Sequence, residues 1–308
     1  MPNDQDVSDA IIESAITIAK RVKAEALLVY ADATGNLDLL AELKKGSPRL
    51  LMLARDDEGR ERAAALTDTV VSVPNFNLTR MDQIKVAVLM AFSQRLLAPG
   101  DTFVFLTGIM GQPLDTIVTM SVGQEQEIFQ SVKQPKLTEH IRRVVFERVI
   151  TIALELANEG REGKPVGAIF VIGNHREVTK FSQQNIINPF KGYTEKERNI
   201  LDDAMRETIK EFCTLDGAFV LKGNGVIVSA GTHLRPGVAG EPLPQGLGAR
   251  HAAAAAITAS TKSMAITISE STGTVRVWRL GQLITEIEKA PRPTGTHVSR
   301  SSDPVGGA

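Results

Sequence analysis

The sequence has a single cysteine, Cys213, among its 308 residues, so it can form neither an intrachain disulfide nor a zinc site built from cysteines. Its five histidines show no HExxH or HxxxH spacing, which excludes the common helical zinc-binding motif. The longest apolar runs, 86–92 and 252–259, fall well below the roughly 18 residues that a membrane helix needs. No basic segment followed by an apolar one opens the chain. We therefore expect a soluble cytoplasmic protein without a membrane span.

Neither sign of charge is in excess, because 35 basic and 36 acidic side chains leave a formal net charge of −1. This balance argues against a general DNA-binding protein or a polybasic membrane binder, but it allows a local anion site. Aromatic residues are few, and we expect Trp278 and Phe219 in the core rather than as stacking platforms. The length suits two domains of ordinary size.

The first 130 residues alternate between helical and strand-like patterns. Predicted strands lie at 26–30, 50–54, 69–73 and 102–107, and the helical stretches between them at 36–45, 57–66 and 80–97. The predicted strands are continuous apolar runs, and such runs separated by helices are typical of a parallel sheet covered on both faces. We predict that residues 1–130 form a parallel-sheet α/β sandwich.

A polar, glutamine-rich stretch at 124–136 is predicted to be a linker, and the pattern changes after it. Helices are expected at 137–158, 196–212 and 250–261, and strands at 167–173, 217–221, 226–229, 264–268 and 274–278. We predict a mixed-sheet α/β domain over 131–290. Residues 291–308 have almost nothing to bury and are predicted to form a disordered tail.

Two carboxylates in the second half follow or precede predicted strands. Asp216 stands directly before Gly217 and an apolar strand, an arrangement that suits a metal or phosphate site because glycine lets a ligand approach the backbone. Glu270 follows the strand at 264–268 in the sequence Ser-Glu-Ser-Thr-Gly. Each segment is equally typical of an ordinary turn between strands.

A glycine-rich loop runs into an alanine-rich helix at Gly248-Ala249-Arg250-His251. The unpaired N–H groups of a helix start favour an anion there, and the Arg250 guanidinium adds positive charge. The alternative is a surface loop with a solvated arginine.

Together these segments resemble the diadenylate cyclase domain, whose two hallmark motifs are DGA and RHR. The likeness covers about 137–288 and is carried by Asp216-Gly217-Ala218, Ala230 to Leu234, Gly248 to His251 and Ser269-Glu270. The segments Gly163 to Gly167 and Asn188 to Gly192 resemble archaeal-type members of that family. The first half more loosely resembles the C-terminal α/β domain of pyruvate kinase, through Glu13-Ser14-Ala15 and 100–108.

The resemblance implies condensation of two ATP molecules into cyclic di-AMP with release of two pyrophosphates, assisted by Mn²⁺, Mg²⁺ or Co²⁺. It implies that Asp216, Arg250 and His251 are catalytic and that Asp216 and Glu270 bind the metal. It also implies a set of residues in contact with ATP: Gly217, Leu234 against the adenine, Gly248, Ala249, Arg250, His251 and Ala252. Because each domain holds one ATP, the partner is a second copy of the chain in a face-to-face dimer or larger homo-oligomer.

The sequence departs from the family pattern on both sides of the Arg250-His251 pair. Ala249 replaces a frequent threonine, and Ala252 replaces the second arginine of RHR. Losing a hydroxyl and a guanidinium weakens triphosphate binding unless another group replaces them, and Arg235 and Lys262 are the candidates. A rival interpretation is therefore a non-catalytic regulatory module of the same fold that binds ATP or cyclic di-AMP. A third, with the first domain as the active part, lacks a cluster of charged catalytic residues to support it.

Overall fold

The computed structural model describes residues 4–33, 36–43, 46–109, 112–123, 140–235 and 248–289. The predicted linker, most of the loop after Leu234 and the predicted tail lie outside these residues. The described residues form two separate sheets flanked by helices, which confirms the predicted α/β class. None of the helices in this part of the chain is long and apolar enough to cross a bilayer.

The first sheet has five strands. They are β1 (Ala26–Tyr30), β2 (Arg49–Ala54), β3 (Val70–Ser72), β4 (Thr102–Thr107) and β5 (Thr116–Ser121), in the order β3-β2-β1-β4-β5. Strands β1 to β4 are parallel, as predicted. Strand β5 pairs antiparallel with β4 at one edge, which corrects the expectation of a purely parallel sheet.

Helices cover both faces of this sheet. They are α1 (Asp4–Arg21), α2 (Asp57–Leu66) and α3 (Arg80–Ser93), joined by a 3-10 helix at Leu37–Leu43 where a longer helix is expected from the sequence. Leu27 and Val29 of β1 share one buried cluster with α1 and α2, whereas Leu28 shares another with α3. The continuous apolar run of β1 follows from this two-sided burial.

The second sheet has seven strands, in the order β12-β11-β10-β6-β8-β9-β7 when numbered along the chain. They are β6 (Ala168–Ile172), β7 (Ser182–Gln184), β8 (Ala218–Leu221), β9 (Ile227–Leu234), β10 (Met264–Ile268), β11 (Val275–Arg279) and β12 (Gln282–Ile287). Only β6 and β8 are parallel neighbours, so the predicted mixed sheet is confirmed.

Four helices surround the second sheet: α4 (Arg143–Glu159), α5 (His175–Lys180), α6 (Met205–Phe212) and α7 (Ala249–Thr261). Phe170 of β6 lies in the cluster that contains α4, and Val171 lies in the cluster that contains α7. Trp278 and Phe219 are buried, as expected. Cys213 is also buried, which raises the pKa of its thiol.

Helices α3 and α4 join the two halves. Their buried side chains belong to one continuous apolar cluster. At its edge, Ser93 Oγ and Gln94 Nε2 both donate to Glu147 Oε1, at 3.0 and 3.1 Å. The backbone N–H of Glu288, just after β12, donates to Asp82 Oδ1 in the first turn of α3. The first sheet is therefore packed onto the second through shared apolar and polar contacts.

The structure shortens one predicted helix. Helix α6 begins at Met205, whereas the sequence pattern predicts a helix from 196. Asn199 Oδ1 accepts the N–H of Leu201, and Asp202 Oδ1 accepts the N–H of Ala204. Such side-chain bonds to the backbone compete with a helix. The N–H of Ile200 bonds instead to Gly225 in the turn between β8 and β9.

The strand register brings distant parts of the chain to one edge of the second sheet. Ile268, the last residue of β10, pairs with Ala168, the first residue of β6. Ile169 in turn pairs with Ala218, the first residue of β8. Consequently, Asp216 before β8 and Glu270 after β10 emerge on the same edge.

Candidate active site

A cavity of about 690 Å³ lies at this edge, in the size range of small-molecule sites. Its lining consists of Pro165, Asp216, Gly248, Ala249, Arg250, His251, Ile268, Ser269, Glu270, Ser271, Thr272 and Arg276. Six of these residues were predicted for the site from the sequence, and they come from a turn, a helix start and the end of a strand: Asp216, Gly248, Ala249, Arg250, His251 and Glu270.

Asp216 lies in an exposed turn two residues before β8. In the described part of the chain, its carboxylate has no hydrogen-bond or ion-pair partner. The next residue, Gly217, has φ +110°, and a Cβ there would lie 2.6 Å from the carbonyl carbon of Gly231. Only glycine permits this conformation together with this approach of two backbone segments. The Asp-Gly pair therefore fixes a carboxylate at the cavity with its oxygens available to a ligand.

The first turn of α7 also lines the cavity. Gly248 is its N-cap and offers no side chain to the helix N–H groups. The N–H groups of His251 and Ala252 bond to the Gly248 carbonyl, whereas those of Ala249 and Arg250 have no partner among the described residues and are available to a ligand. Such a helix start favours an anion through its N–H groups and the helix dipole.

Arg250 and Glu270 form an ion pair within the cavity wall, with Arg250 Nη1 donating to Glu270 Oε2 at 2.9 Å. The pair packs against Gly167, the residue directly before β6. A Cβ at Gly167 would lie 2.5 Å from Arg250 Nη1 and 3.0 Å from Glu270 Cβ. The absence of a side chain at 167 thus provides the space in which the pair sits.

His251 is buried behind Arg250 and contacts Arg276 of β11. Arg276 Nη1 donates to His251 Nε2 at 3.2 Å, which requires the imidazole proton to be on Nδ1. His251 Nδ1 has no partner within the described residues. Burial, together with the positive charges of Arg276 and Arg250, lowers the pKa of His251 to about 4. We therefore expect a neutral imidazole at pH 7.

The lowered pKa predicts how stability responds to pH. An unfolded histidine has a pKa of about 6.5, so between pH 6.5 and 4 the unfolded chain binds a proton that folded His251 does not. The free energy of unfolding is thus expected to fall as pH drops through this window. The variant His251→Gln should lose less stability than the wild type between pH 7 and 4.5, measured by chemical denaturation. Equal losses in the two proteins would contradict the assigned neutral state.

Three residues expected at the ATP site do not line this cavity. Leu234 is the last residue of β9 and is buried in the apolar cluster with Val178. Gly217 lies next to the cavity-lining Asp216, and Ala252 lies exposed on the first turn of α7. Their assigned contacts with ATP remain predictions.

Arg276 was not among the residues predicted for the site. Arg235 and Lys262, the expected replacements for the absent arginine, do not line the cavity. A signal was available, because alternation along the strand at 274–278 places Arg276 on the same face as Trp278. A charged residue on the buried face of a strand indicates a specific partner.

Comparison with known proteins relates both halves of the chain to described families. The family "DisA bacterial checkpoint controller nucleotide-binding" matches residues 155–283. The family "Probable sensor domain DacZ_P" matches residues 8–130. A solved structure of DacA from Staphylococcus aureus, a double cysteine mutant, is 21% identical with a TM-score of 0.30. That likeness covers 46% of this chain and 84% of the other.

Two curated relatives are similar over most of the chain. The diadenylate cyclase of Methanocaldococcus jannaschii is 29% identical over 304 residues, which cover 92% of this chain and 97% of the relative. The diadenylate cyclase of Haloferax volcanii is 35% identical over 223 residues, which cover 72% of this chain and 80% of the relative. With this identity and coverage, and with the resemblance first seen in the motifs, the chain belongs to the diadenylate cyclase family.

Proposed function

We propose that this chain condenses two ATP molecules into cyclic di-AMP and two pyrophosphates. Each new bond joins a ribose 3′-oxygen to the α-phosphorus of the other ATP. Each broken bond joins that phosphorus to the oxygen bridging to the β-phosphate, and the hydroxyl protons pass to solvent. The observation that carries the proposal is the single cavity containing Asp216, Glu270 and the first turn of α7. Because ATP is the substrate, we place the reaction in the cytoplasm.

The first turn of α7 binds the triphosphate in this proposal. Its free N–H groups and the Arg250 guanidinium are donors suited to phosphate oxygens. The neighbouring His251 is buried and neutral, and the positive charge of Arg250 contributes to its lowered pKa. Transfer of a nucleotidyl group depends chiefly on positioning and on neutralising charge at the phosphorus, which this arrangement supplies.

The two carboxylates fit a hard divalent cation. The described residues contain no group of three or more side chains able to ligate a metal, so substrate phosphates and water must complete the coordination. Mg²⁺ commonly binds in this way, through one or two carboxylates and the phosphates. Asp216 and Glu270 would hold Mn²⁺, Mg²⁺ or Co²⁺, which neutralises phosphate charge when bound. Asp216 also helps to remove the proton of the 3′-hydroxyl.

The reaction requires two copies of the chain. One cavity carries one set of these groups, whereas the product needs two ATP molecules facing each other in opposite directions. A two-fold homodimer meets this requirement with identical surfaces. Specific activity is therefore expected to fall on dilution below the dimer dissociation constant, together with the sedimentation coefficient. Activity proportional to the concentration of a persistent monomer would contradict this assembly.

Incubating the purified full chain with ATP and Mn²⁺ tests the proposal directly, with cyclic di-AMP detected by liquid chromatography and mass spectrometry. We expect cyclic di-AMP and pyrophosphate. The Arg250–Glu270 ion pair and the alanines at 249 and 252 favour one rival, a non-catalytic module that binds ATP or cyclic di-AMP. Binding of ATP by calorimetry without any product would favour that rival over the cyclase. Absence of product, together with no calorimetric binding of either ATP or cyclic di-AMP, would overturn both hypotheses.

A further inference from the structure

Arg276 is a second guanidinium in the cavity. It extends from β11 to the cavity lining and is only 15% exposed. Because β11 pairs antiparallel with β10, Arg276 lies opposite Thr267, one residue before the end of β10. This register places the guanidinium at the sheet edge where Glu270 and Asp216 emerge.

Two neighbours orient the guanidinium. Arg276 Nε donates to Glu286 Oε2 of β12 at 3.0 Å, and Nη1 donates to His251 Nε2 at 3.2 Å. Within the described residues, Nη2 has no partner. A fixed fork with free N–H donors is well suited to phosphate oxygens.

The counter-charges of the two arginines lie in different places. Glu270, the partner of Arg250, itself lines the cavity. Glu286, the partner of Arg276, is not among the lining residues, so it fixes the guanidinium from behind. Arg276 can therefore bind an anion without giving up its own ion pair.

Neither Lys262 nor Arg235 is placed to replace the arginine that is absent at position 252. Lys262 is the C-cap of α7 and lies about 20 Å from its first turn, at 1.5 Å per residue. Arg235 follows β9 and does not line the cavity. Among the described residues, Arg276 is the basic side chain that joins Arg250 in the lining.

We propose that Arg276 binds the triphosphate of ATP, supplying from β11 the guanidinium that Ala252 does not supply from α7. Glu286 is its positioning residue. This inference rests on the proposed function, because it assigns a role within the same nucleotide site.

The variant Arg276→Gln tests this role. Affinities for α,β-methylene-ATP, which cannot release pyrophosphate, and for adenosine are measured by calorimetry in the presence of Mn²⁺. We expect affinity for the analogue to fall about 10- to 100-fold, as loss of a hydrogen bond to a charged group implies. Adenosine, which has no phosphates, should bind with unchanged affinity. Arg148→Gln is the matched control, since Arg148 is also a partly buried, ion-paired arginine but lies on α4.

The positioning role of Glu286 has its own variant, Glu286→Gln. It is expected to lower analogue affinity by a smaller factor than Arg276→Gln and to leave adenosine affinity unchanged. No effect on analogue affinity would overturn the role of Glu286.

The possible outcomes distinguish failure of the role of Arg276 from failure of the proposed function. A wild-type protein that binds neither ATP nor its analogue fails the proposed function itself. Binding by the wild type with an unchanged affinity in Arg276→Gln overturns the inference alone. Equal losses of analogue and adenosine affinity also overturn it, because they show a general structural role for Arg276.

Discussion

Replacing Asp216 with asparagine is expected to reduce cyclic di-AMP formation more than about 100-fold, since even residues beyond the metal ligands commonly contribute 10- to 100-fold. The change keeps the size of the side chain but removes its charge. Because the carboxylate has no partner in the described structure, its loss breaks no contact. The midpoint of thermal unfolding should therefore stay close to that of the wild type. Initial rates with ATP at several Mn²⁺ concentrations, together with a melting curve, measure both effects.

Asp68→Asn is the control for this experiment, because it makes the same chemical change at an exposed position of the first half. It should leave both rate and stability unchanged. Substantial activity in Asp216→Asn at an unchanged unfolding midpoint would remove Asp216 from the proposed chemistry. A collapse of activity accompanied by unfolding would instead assign it a structural role, which its exposure argues against.

The sequence predicts those strands that are covered by helices on both faces of the sheet. The run Ala26–Tyr30 is apolar throughout because one helix layer covers Leu27 and another covers Leu28, so its composition alone indicates a central strand. The short strand Ser182–Gln184 is polar and partly exposed. Its pairing with β9 depends on tertiary contacts, and no periodic pattern in the sequence predicts this strand.

The site could be predicted only in part. Asp216 lies 34 residues before Arg250, and Arg250 lies 20 residues before Glu270. Only the resemblance to a family whose motifs follow the same order and approximate spacing groups them from the sequence. The register that brings Ile268 opposite Ala168 is a property of the folded sheet. The Arg250–Glu270 ion pair and the contact of Arg276 with His251 also depend on how α7 packs against the folded sheet, so the linear sequence could not show them.

Gly167→Ala is expected to lower activity about 10-fold or more while leaving the fold intact, as loss of an arginine contact with phosphate implies. The added methyl group would lie 2.5 Å from Arg250 Nη1 and 2.9 Å from its Cζ. The guanidinium is the end of a flexible side chain and can move away. Glu270 Cβ, 3.0 Å from the added methyl group, needs to shift by only a few tenths of an ångström, so the cost to stability is small. In moving, it leaves Glu270 and the place where the triphosphate is proposed to bind. Steady-state kinetics should show the loss mainly as a raised KM for ATP.

Gly217→Ala, next to the cavity-lining Asp216, provides the contrast. There the added Cβ would meet backbone atoms, the Gly231 carbonyl carbon at 2.6 Å and the Thr232 nitrogen at 2.7 Å. The residue also has φ +110°, which alanine adopts only with strain. Backbone cannot move aside as a side chain can, so we expect a loss of about 2–4 kcal/mol in the free energy of unfolding.

The two glycines thus separate a site effect from a folding effect with the same one-carbon change. At 167 the contact is with the Arg250 side chain, which is proposed to bind the triphosphate, so activity should fall and the denaturation midpoint should not. At 217 the contact is with a neighbouring strand, so the midpoint should fall as well. If Gly167→Ala retained full activity, Arg250 would not need its observed position, and the anion site on α7 would have to be built from N–H groups and Arg276 alone. If Gly217→Ala retained full stability, the approach of β8 to β9 would not require glycine, and the Asp216 turn would be less rigid than its geometry indicates.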